Sequence, residues 1–111
     1  MPDNRVETIN FFEKLVEELP ERGIFSQTLM KNKHSSVVMM QLAAGEKLSE
    51  HTSKFACMIQ VLEGSGNLQA NGSDVELRKG QLVSMKADLP HSVTADHDLV
   101  FVLYLFKTPH K

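Results

Sequence analysis

Imidazole and thiol side chains are the groups in this sequence that could do chemistry. The chain carries five histidines and one cysteine, Cys57. His51 and His91 each lie at the edge of a predicted strand, directly after a turn. The other histidines lie in turns or near the chain end, where solvent exposure is expected: His34, His97 and His110. Because nitrogen and sulfur ligands suit zinc or copper better than magnesium or calcium, His51, His91 and Cys57 are candidate metal ligands.

Short strands must position these side chains. After Gly23 the sequence consists of apolar or alternating runs separated by turn signals, which is typical of an all-β sandwich or barrel. Asn71-Gly72 predicts a type I′ hairpin, because both central residues of that turn need positive φ. No segment between the strands has room for a crossover helix, which disfavours a parallel α/β sheet. The predicted strands cover residues 24–30, 36–42, 56–62, 66–70, 73–77, 82–85, 91–95 and 99–106.

The first part of the chain has a different pattern. Residues 1–23 are predicted to form an N-terminal arm with a helix over 10–19, and residues 24–111 a single β-barrel domain. Asn10 followed by Glu13 resembles a capping box at the start of that helix. The runs 37–40 and 99–106 are apolar on both faces, so their outer face must be covered by the helix or by a second copy. The second alternative predicts a homodimer packed through sheet surfaces.

Two segments resemble the paired motifs of the cupin superfamily. Residues 45–64, GEKLSEHTSKFACMIQVLEG, resemble the first motif, G-x5-H-x-H-x3-4-E-x6-G. Residues 80–95, GQLVSMKADLPHSVTA, resemble the second, G-x5-P-x-G-x2-H-x3-N. The Asn71-Gly72 hairpin lies between them, as in the family. The resemblance covers residues 36–106 and implies a small single-domain cupin, a double-stranded β-helix barrel of the jelly-roll type.

The resemblance also implies a site inside the barrel. In the family, two histidines and a glutamate of the first motif and one histidine of the second bind a divalent metal. His51 and His91 stand at the first and last of these positions, whereas Ser53 replaces the second histidine and Cys57 the glutamate. The implied metal ligands are therefore His51, His91 and Cys57, with Ser53 behind them. In the second motif the family's proline, glycine and asparagine are replaced by Lys86, Asp88 and Ala95.

Strand alternation predicts which neighbours share the pocket. His51 and Ser53 are two residues apart and would face the same way on a strand. Cys57, Ile59 and Val61 share that parity, unless a bend between Ser53 and Ala56 resets it. His91 and Val93 would face inward together on their own strand. The residues predicted to line the pocket or to lie directly behind the metal ligands are Ser53, Ile59, Val61, Met85 and Val93.

Two functional hypotheses stay open at this point. The first is a cupin that holds zinc, copper, iron, nickel or manganese, with dioxygenase- or isomerase-like chemistry if it is an enzyme. The second is a metal-free sensor or binding module for a small molecule. Cysteine dioxygenase also has a cysteine at the glutamate position, linked there to a tyrosine, and Tyr104 is the one tyrosine of this chain. Whether Tyr104 faces the pocket decides that analogy.

Composition limits the partners. The net charge of -2 and the lack of a basic stripe argue against nucleic acid. No apolar run reaches the roughly 18 residues of a membrane-spanning helix, and no apolar segment of a signal peptide follows the charged first residues. The sequence thus predicts a cytoplasmic protein whose partners are a small-molecule ligand and a second copy of itself.

Overall fold

The computed structural model describes residues 6–15 and 23–107, and these residues form two β-sheets. One sheet has five strands in the order β1-β2-β9-β4-β7 and the other has four in the order β3-β8-β5-β6. Within the described residues, no helix is long and apolar enough to cross a membrane. The strands are β1 (Ile24–Lys31), β2 (Ser35–Leu42), β3 (Lys47–His51), β4 (Ala56–Glu63), β5 (Ser65–Ala70), β6 (Ser73–Arg78), β7 (Leu82–Met85), β8 (His91–Ala95) and β9 (Leu99–Phe106).

The main hydrophobic core lies between the two sheets. Buried Ile59 and Phe101 come from the five-stranded sheet, and buried Leu68, Leu77 and Val93 come from the four-stranded one. Every strand pairing is antiparallel, and β9 is bonded to both β2 and β4. The predicted all-β architecture is therefore confirmed, and it leaves a space between the sheets in which a ligand site could lie.

The β5–β6 hairpin turns at the residues that the sequence indicated. Asn71 has a φ of 50° and Gly72 a φ of 83°, as a type I′ turn requires. Ala70 is paired with Ser73 across the turn, so the loop has two residues. The turn chemistry thus fixes the register of these two strands.

A second, smaller core covers the outer face of the five-stranded sheet. Met39, Val100 and Val102 are buried there, and Phe11 and Leu15 of the N-terminal segment pack against them. The alternation along β9 sends odd residues into the main core and even residues into this outer cluster. The N-terminal segment is thus one cover for the apolar outer face. The homodimer stays a prediction, which light scattering at micromolar concentration tests.

The N-terminal helix is shorter and tighter than predicted. Only Phe11–Lys14 is helical in the described residues, as a 3-10 turn, and Leu15 is already extended. The Asn10 side chain accepts a hydrogen bond from the Phe12 amide, not from Glu13, so the predicted capping box is wrong. Glu13 instead donates its backbone N–H to the Asn10 carbonyl, which closes the shorter 3-10 ring. Residues 16–19 of the predicted helix lie outside the described residues.

Strand β3 is the one strand that the sequence pattern did not reveal. Its sequence, KLSEH, contains a single apolar residue, Leu48, and no β-branched residue. It lies at the edge of its sheet and pairs only with β8. An edge strand with a mostly exposed face needs little apolar character, so tertiary pairing overrides weak local propensity here.

Candidate ligand-binding site

A β-bulge brings the two motif histidines together. Leu48 is paired with Val93 and His51 with His91, so three steps along β3 match two steps along β8. The extra residue lets Leu48 and His51 both face the space between the sheets, although their spacing is odd. The ring centroids of His51 and His91 are 4.3 Å apart and the rings are tilted by 58°. The two implied ligand positions are therefore neighbours in space.

Both imidazoles are held in the same way by the backbone before them. Nδ1 of His51 lies 2.8 Å from the Ser49 carbonyl oxygen, and Nδ1 of His91 lies 2.8 Å from the Leu89 carbonyl oxygen. A carbonyl oxygen can only accept, so Nδ1 carries the hydrogen in both rings. In a neutral imidazole Nε2 is then a bare acceptor or ligand nitrogen. His91 is buried, with 7% of its surface exposed, whereas His51 is exposed.

The histidine pair borders an apolar cavity between the sheets. The cavity has a volume of about 150 Å³, and its lining consists of Met40, Leu48, His51, Ile59, His91, Val93, Phe101 and Leu103. His51, His91, Ile59 and Val93 were named from the sequence. Four further lining residues were missed: Met40, Leu48, Phe101 and Leu103. Those on β2 and β9 lie in runs that are apolar on both faces, so alternation gave no signal of which residues face inward.

Cys57 lies in the main core and not among the cavity-lining residues. Only 3% of its surface is exposed, and its partner across to β7 is Met85, which is also buried. Burial raises the pKa of the Cys57 thiol above its ordinary value. Val61 belongs to the same core. Cys57, Val61 and Met85 thus face inward, and strand alternation predicted this for Cys57 and Val61. They pack in the main core and do not line the cavity.

Ser53 connects the two motif loops. Its hydroxyl oxygen accepts a hydrogen bond from the Phe55 amide, and its carbonyl oxygen accepts one from the Asp88 amide at 2.7 Å. Asp88 stands at the position of the family's glycine and keeps the left-handed backbone of a glycine, with a φ of 67°. Aspartate tolerates this conformation better than most residues. The loop shape therefore survives the replacement, and Ser53 has a structural partner rather than a place in the cavity.

Tyr104 lies on the opposite side of the sheet from Cys57. Its ring packs in the outer cluster, whereas Cys57 belongs to the main core. The Tyr104 hydroxyl donates a hydrogen bond of 2.7 Å to the side-chain oxygen of Gln60. Partial burial raises the pKa of this phenol. Because the two side chains project from opposite faces, the comparison with the linked cysteine and tyrosine of cysteine dioxygenase does not extend to this chain.

The remaining histidines lie away from the cavity. His97 is exposed, and its Nδ1 lies 2.8 Å from the Ser65 hydroxyl oxygen in a turn. His34 is exposed in the turn between β1 and β2. His110 lies outside the described residues. His51 and His91 are thus the histidines that line the space between the sheets.

The donor set does not fit a metal held by this chain alone. No group of three His, Cys, Asp or Glu side chains within residues 6–15 and 23–107 is placed to hold a metal ion. Two imidazole nitrogens are one short of the three protein ligands of a typical catalytic zinc site. Cys57 and Ser53, which stand at the family's other two positions, are occupied in packing and in loop hydrogen bonds. Nε2 of each neutral imidazole can accept a hydrogen bond without a metal.

Comparison with known proteins agrees with this fold. The family model of the cupin domain matches residues 38–106, so the chain belongs to the cupin family. Its structure is similar to that of a conserved protein of unknown function from Streptococcus pyogenes, with a TM-score of 0.81 at 18% identity over 97% of this chain and 93% of that one. A cupin superfamily protein from Desulfitobacterium hafniense gives a TM-score of 0.80 at 15% identity, over 96% of this chain and 94% of that one.

A larger enzyme shares the barrel. Salicylate 1,2-dioxygenase from Pseudoaminobacter salicylatoxidans gives a TM-score of 0.72 at 18% identity, over 78% of this chain but 27% of the enzyme. At such identities the likeness shows the fold alone. None of the curated protein sequences matches this chain.

Proposed function

We propose that this chain is a binding module that holds a small organic molecule in the cavity beside His51 and His91, without a resident metal. The observation that carries the proposal is the cavity itself, about 150 Å³ in volume and lined by six apolar side chains and the histidine pair. An apolar cavity of that volume can hold a molecule the size of benzene. Most drug-sized ligand sites are larger, at roughly 300–1,000 Å³, so the ligand is a compact one.

One feature supports the alternative of a metal-binding cupin: the hydrogen bonds that Nδ1 of each histidine makes to the backbone. Metal-ligating histidines usually donate their second ring nitrogen to a carboxylate or a carbonyl, and Nδ1 of both histidines lies 2.8 Å from a backbone carbonyl oxygen. Against it stands the lack of a third donor in the part of the chain that the structure describes. Dioxygenase- or isomerase-like chemistry would need a bound metal with open coordination positions. Zinc, copper, iron, nickel and manganese are the ions to offer in the test.

Thermal unfolding with toluene as the probe tests the proposal. Toluene has seven heavy atoms, and a dissociation constant of about 1 mM is reasonable for so small a ligand. At five times that concentration we expect about 1 kcal/mol of stabilisation, with no change when a chelator is added. The Leu48→Phe variant, which adds volume to the cavity wall, should lose the effect. Leu62→Phe is the matched control, because Leu62 packs in the outer cluster.

Elemental analysis of dialysed protein separates the two candidates. We expect less than stoichiometric metal in the wild type even after the five ions are offered. Stoichiometric metal in the wild type, its loss in a His51→Ala, His91→Ala double variant, and no response to toluene would together overturn the proposal in favour of a metal site.

A further inference from the structure

The histidine pair supplies the polar atoms that a ligand in the cavity would meet. The other lining residues are apolar: Met40, Leu48, Ile59, Val93, Phe101 and Leu103. The selectivity of the cavity for polar groups of a ligand therefore depends on which hydrogen bonds the two imidazoles can accept or donate. Few polar groups in a mainly apolar pocket commonly set ligand orientation and specificity.

The hydrogen-bonding state of the pair is set by the backbone. Since each Nδ1 donates to a carbonyl oxygen, a neutral ring offers the ligand only Nε2, which is an acceptor. The two rings lie side by side, with centroids 4.3 Å apart. Two neighbouring acceptor nitrogens can bind a ligand that carries a hydrogen-bond donor. They cannot form a hydrogen bond with a ligand whose polar atoms are all acceptors.

The lack of a carboxylate in the cavity lining further restricts the class of ligand. No carboxylate is among the lining residues, so a cationic donor such as an ammonium group would enter an apolar space without a counter-charge. Burying an unpaired charge is costly. A neutral O–H group does not carry that cost.

We propose that the ligand is a compact molecule with an apolar body and a neutral O–H donor, of the class of phenols, whose O–H donates to Nε2 of the histidine pair. This inference rests on the proposed function, because it assigns a ligand class to the same cavity. The volume of about 150 Å³ matches an apolar body of about one six-membered ring.

Phenol and toluene form a matched pair of probes, because they have the same number of heavy atoms and differ by a hydroxyl in place of a methyl group. Their dissociation constants are measured by calorimetry or by chemical-shift titration for three proteins. These are the wild type, a His51→Leu, His91→Leu double variant, and His97→Leu as a control that removes an exposed histidine outside the cavity.

We expect the double variant to lose about tenfold in phenol affinity relative to toluene, which is the scale of one or two neutral hydrogen bonds. His97→Leu should leave the ratio unchanged. Retained toluene binding in the double variant shows that it is folded and that its cavity persists. If toluene binds all three proteins and the phenol-to-toluene ratio is the same in each, the ligand class is wrong while the cavity function stands. If neither probe binds the wild type, the proposed function itself fails.

Discussion

A single methylene added on the cavity side of the core should stabilise this protein. Val93 is buried, with 2% of its surface exposed, and it lines the cavity of about 150 Å³. The Val93→Ile variant places one more methylene in that space. Burial of a methylene contributes about 0.8 kcal/mol, and for a chain of this length that raises Tm by roughly 3 °C.

The matched control makes the same change at a fully buried valine that does not line the cavity. Val102 has none of its surface exposed and packs in the outer cluster against Met39 and its neighbours. Val102→Ile overpacks that cluster, which should cost about 2 kcal/mol. The two variants therefore differ in sign although the chemical change is identical.

Urea unfolding at 25 °C, followed by far-ultraviolet circular dichroism, measures both variants against the wild type. Val93→Ile should raise the midpoint without altering the slope, which reports the surface exposed on unfolding. Equal destabilisation of Val93→Ile and Val102→Ile would refute the reasoning, because it would mean that the space beside Val93 cannot take even one methylene. The ligand proposals that depend on the cavity would then lose their basis.

Four further predictions test the fold and the buried side chains. Gly64 and Gly72 share a φ of 83°, but of the two only Gly64 would place an added Cβ against a backbone carbonyl group. Gly64→Ala should therefore lower the free energy of unfolding by about 2 kcal/mol more than Gly72→Ala. Equal losses in the two variants would contradict this overlap. Burial raises the pKa of the Cys57 thiol, so as pH rises the thiol ionises first in the unfolded chain, and the free energy of unfolding falls above pH 9.0, the ordinary thiol pKa. Unfolding measured at pH 8 and at pH 10 should show this loss of stability in the wild type and a smaller loss in Cys57→Ala. Tyr104→Phe removes a hydrogen bond and should cost about 1 kcal/mol in urea unfolding. The intact mass of the wild type should equal that of the unmodified sequence, and a deficit of two hydrogens would place Tyr104 in a cross-link that its outward orientation disallows.

Most strands could be predicted because their sequence carries its own signal. The Asn71-Gly72 turn and the alternation on either side of it fix a hairpin without help from the rest of the chain. Strand β3 carries no such signal, since a single apolar residue, Leu48, anchors it to the core. Its existence depends on pairing with β8, which is a contact distant in sequence. Local pattern could not supply that information.

The sequence predicted the two histidines of the site but only part of the lining around them. The two cupin-like motifs pointed to His51 and His91, whose ring centroids are 4.3 Å apart. The bulge between Leu48 and His51 changes the parity of β3, so counting back from His51 did not indicate that Leu48 lines the cavity. Ser53 lies in the loop between the end of β3 at His51 and the start of β4 at Ala56, so counting forward from His51 to Cys57 did not follow one continuous strand. A bulge depends on pairing with the neighbouring strand, and it cannot be read from the residues of one strand alone.

The replacement of the family's glutamate by Cys57 is consistent with a barrel that works without a metal. The position is almost fully buried among apolar side chains, and only 3% of Cys57 is exposed. A carboxylate there would carry a large desolvation cost unless a cation or hydrogen-bond donors compensated it. A thiol costs little in the same place, because free cysteine behaves as a small hydrophobic residue. In the proposed binding module, which has no resident metal, His51 and His91 line the cavity and would select a ligand by hydrogen bonding. The proposed function is thus consistent with a thiol at the family's glutamate position and with histidines at two of the family's ligand positions.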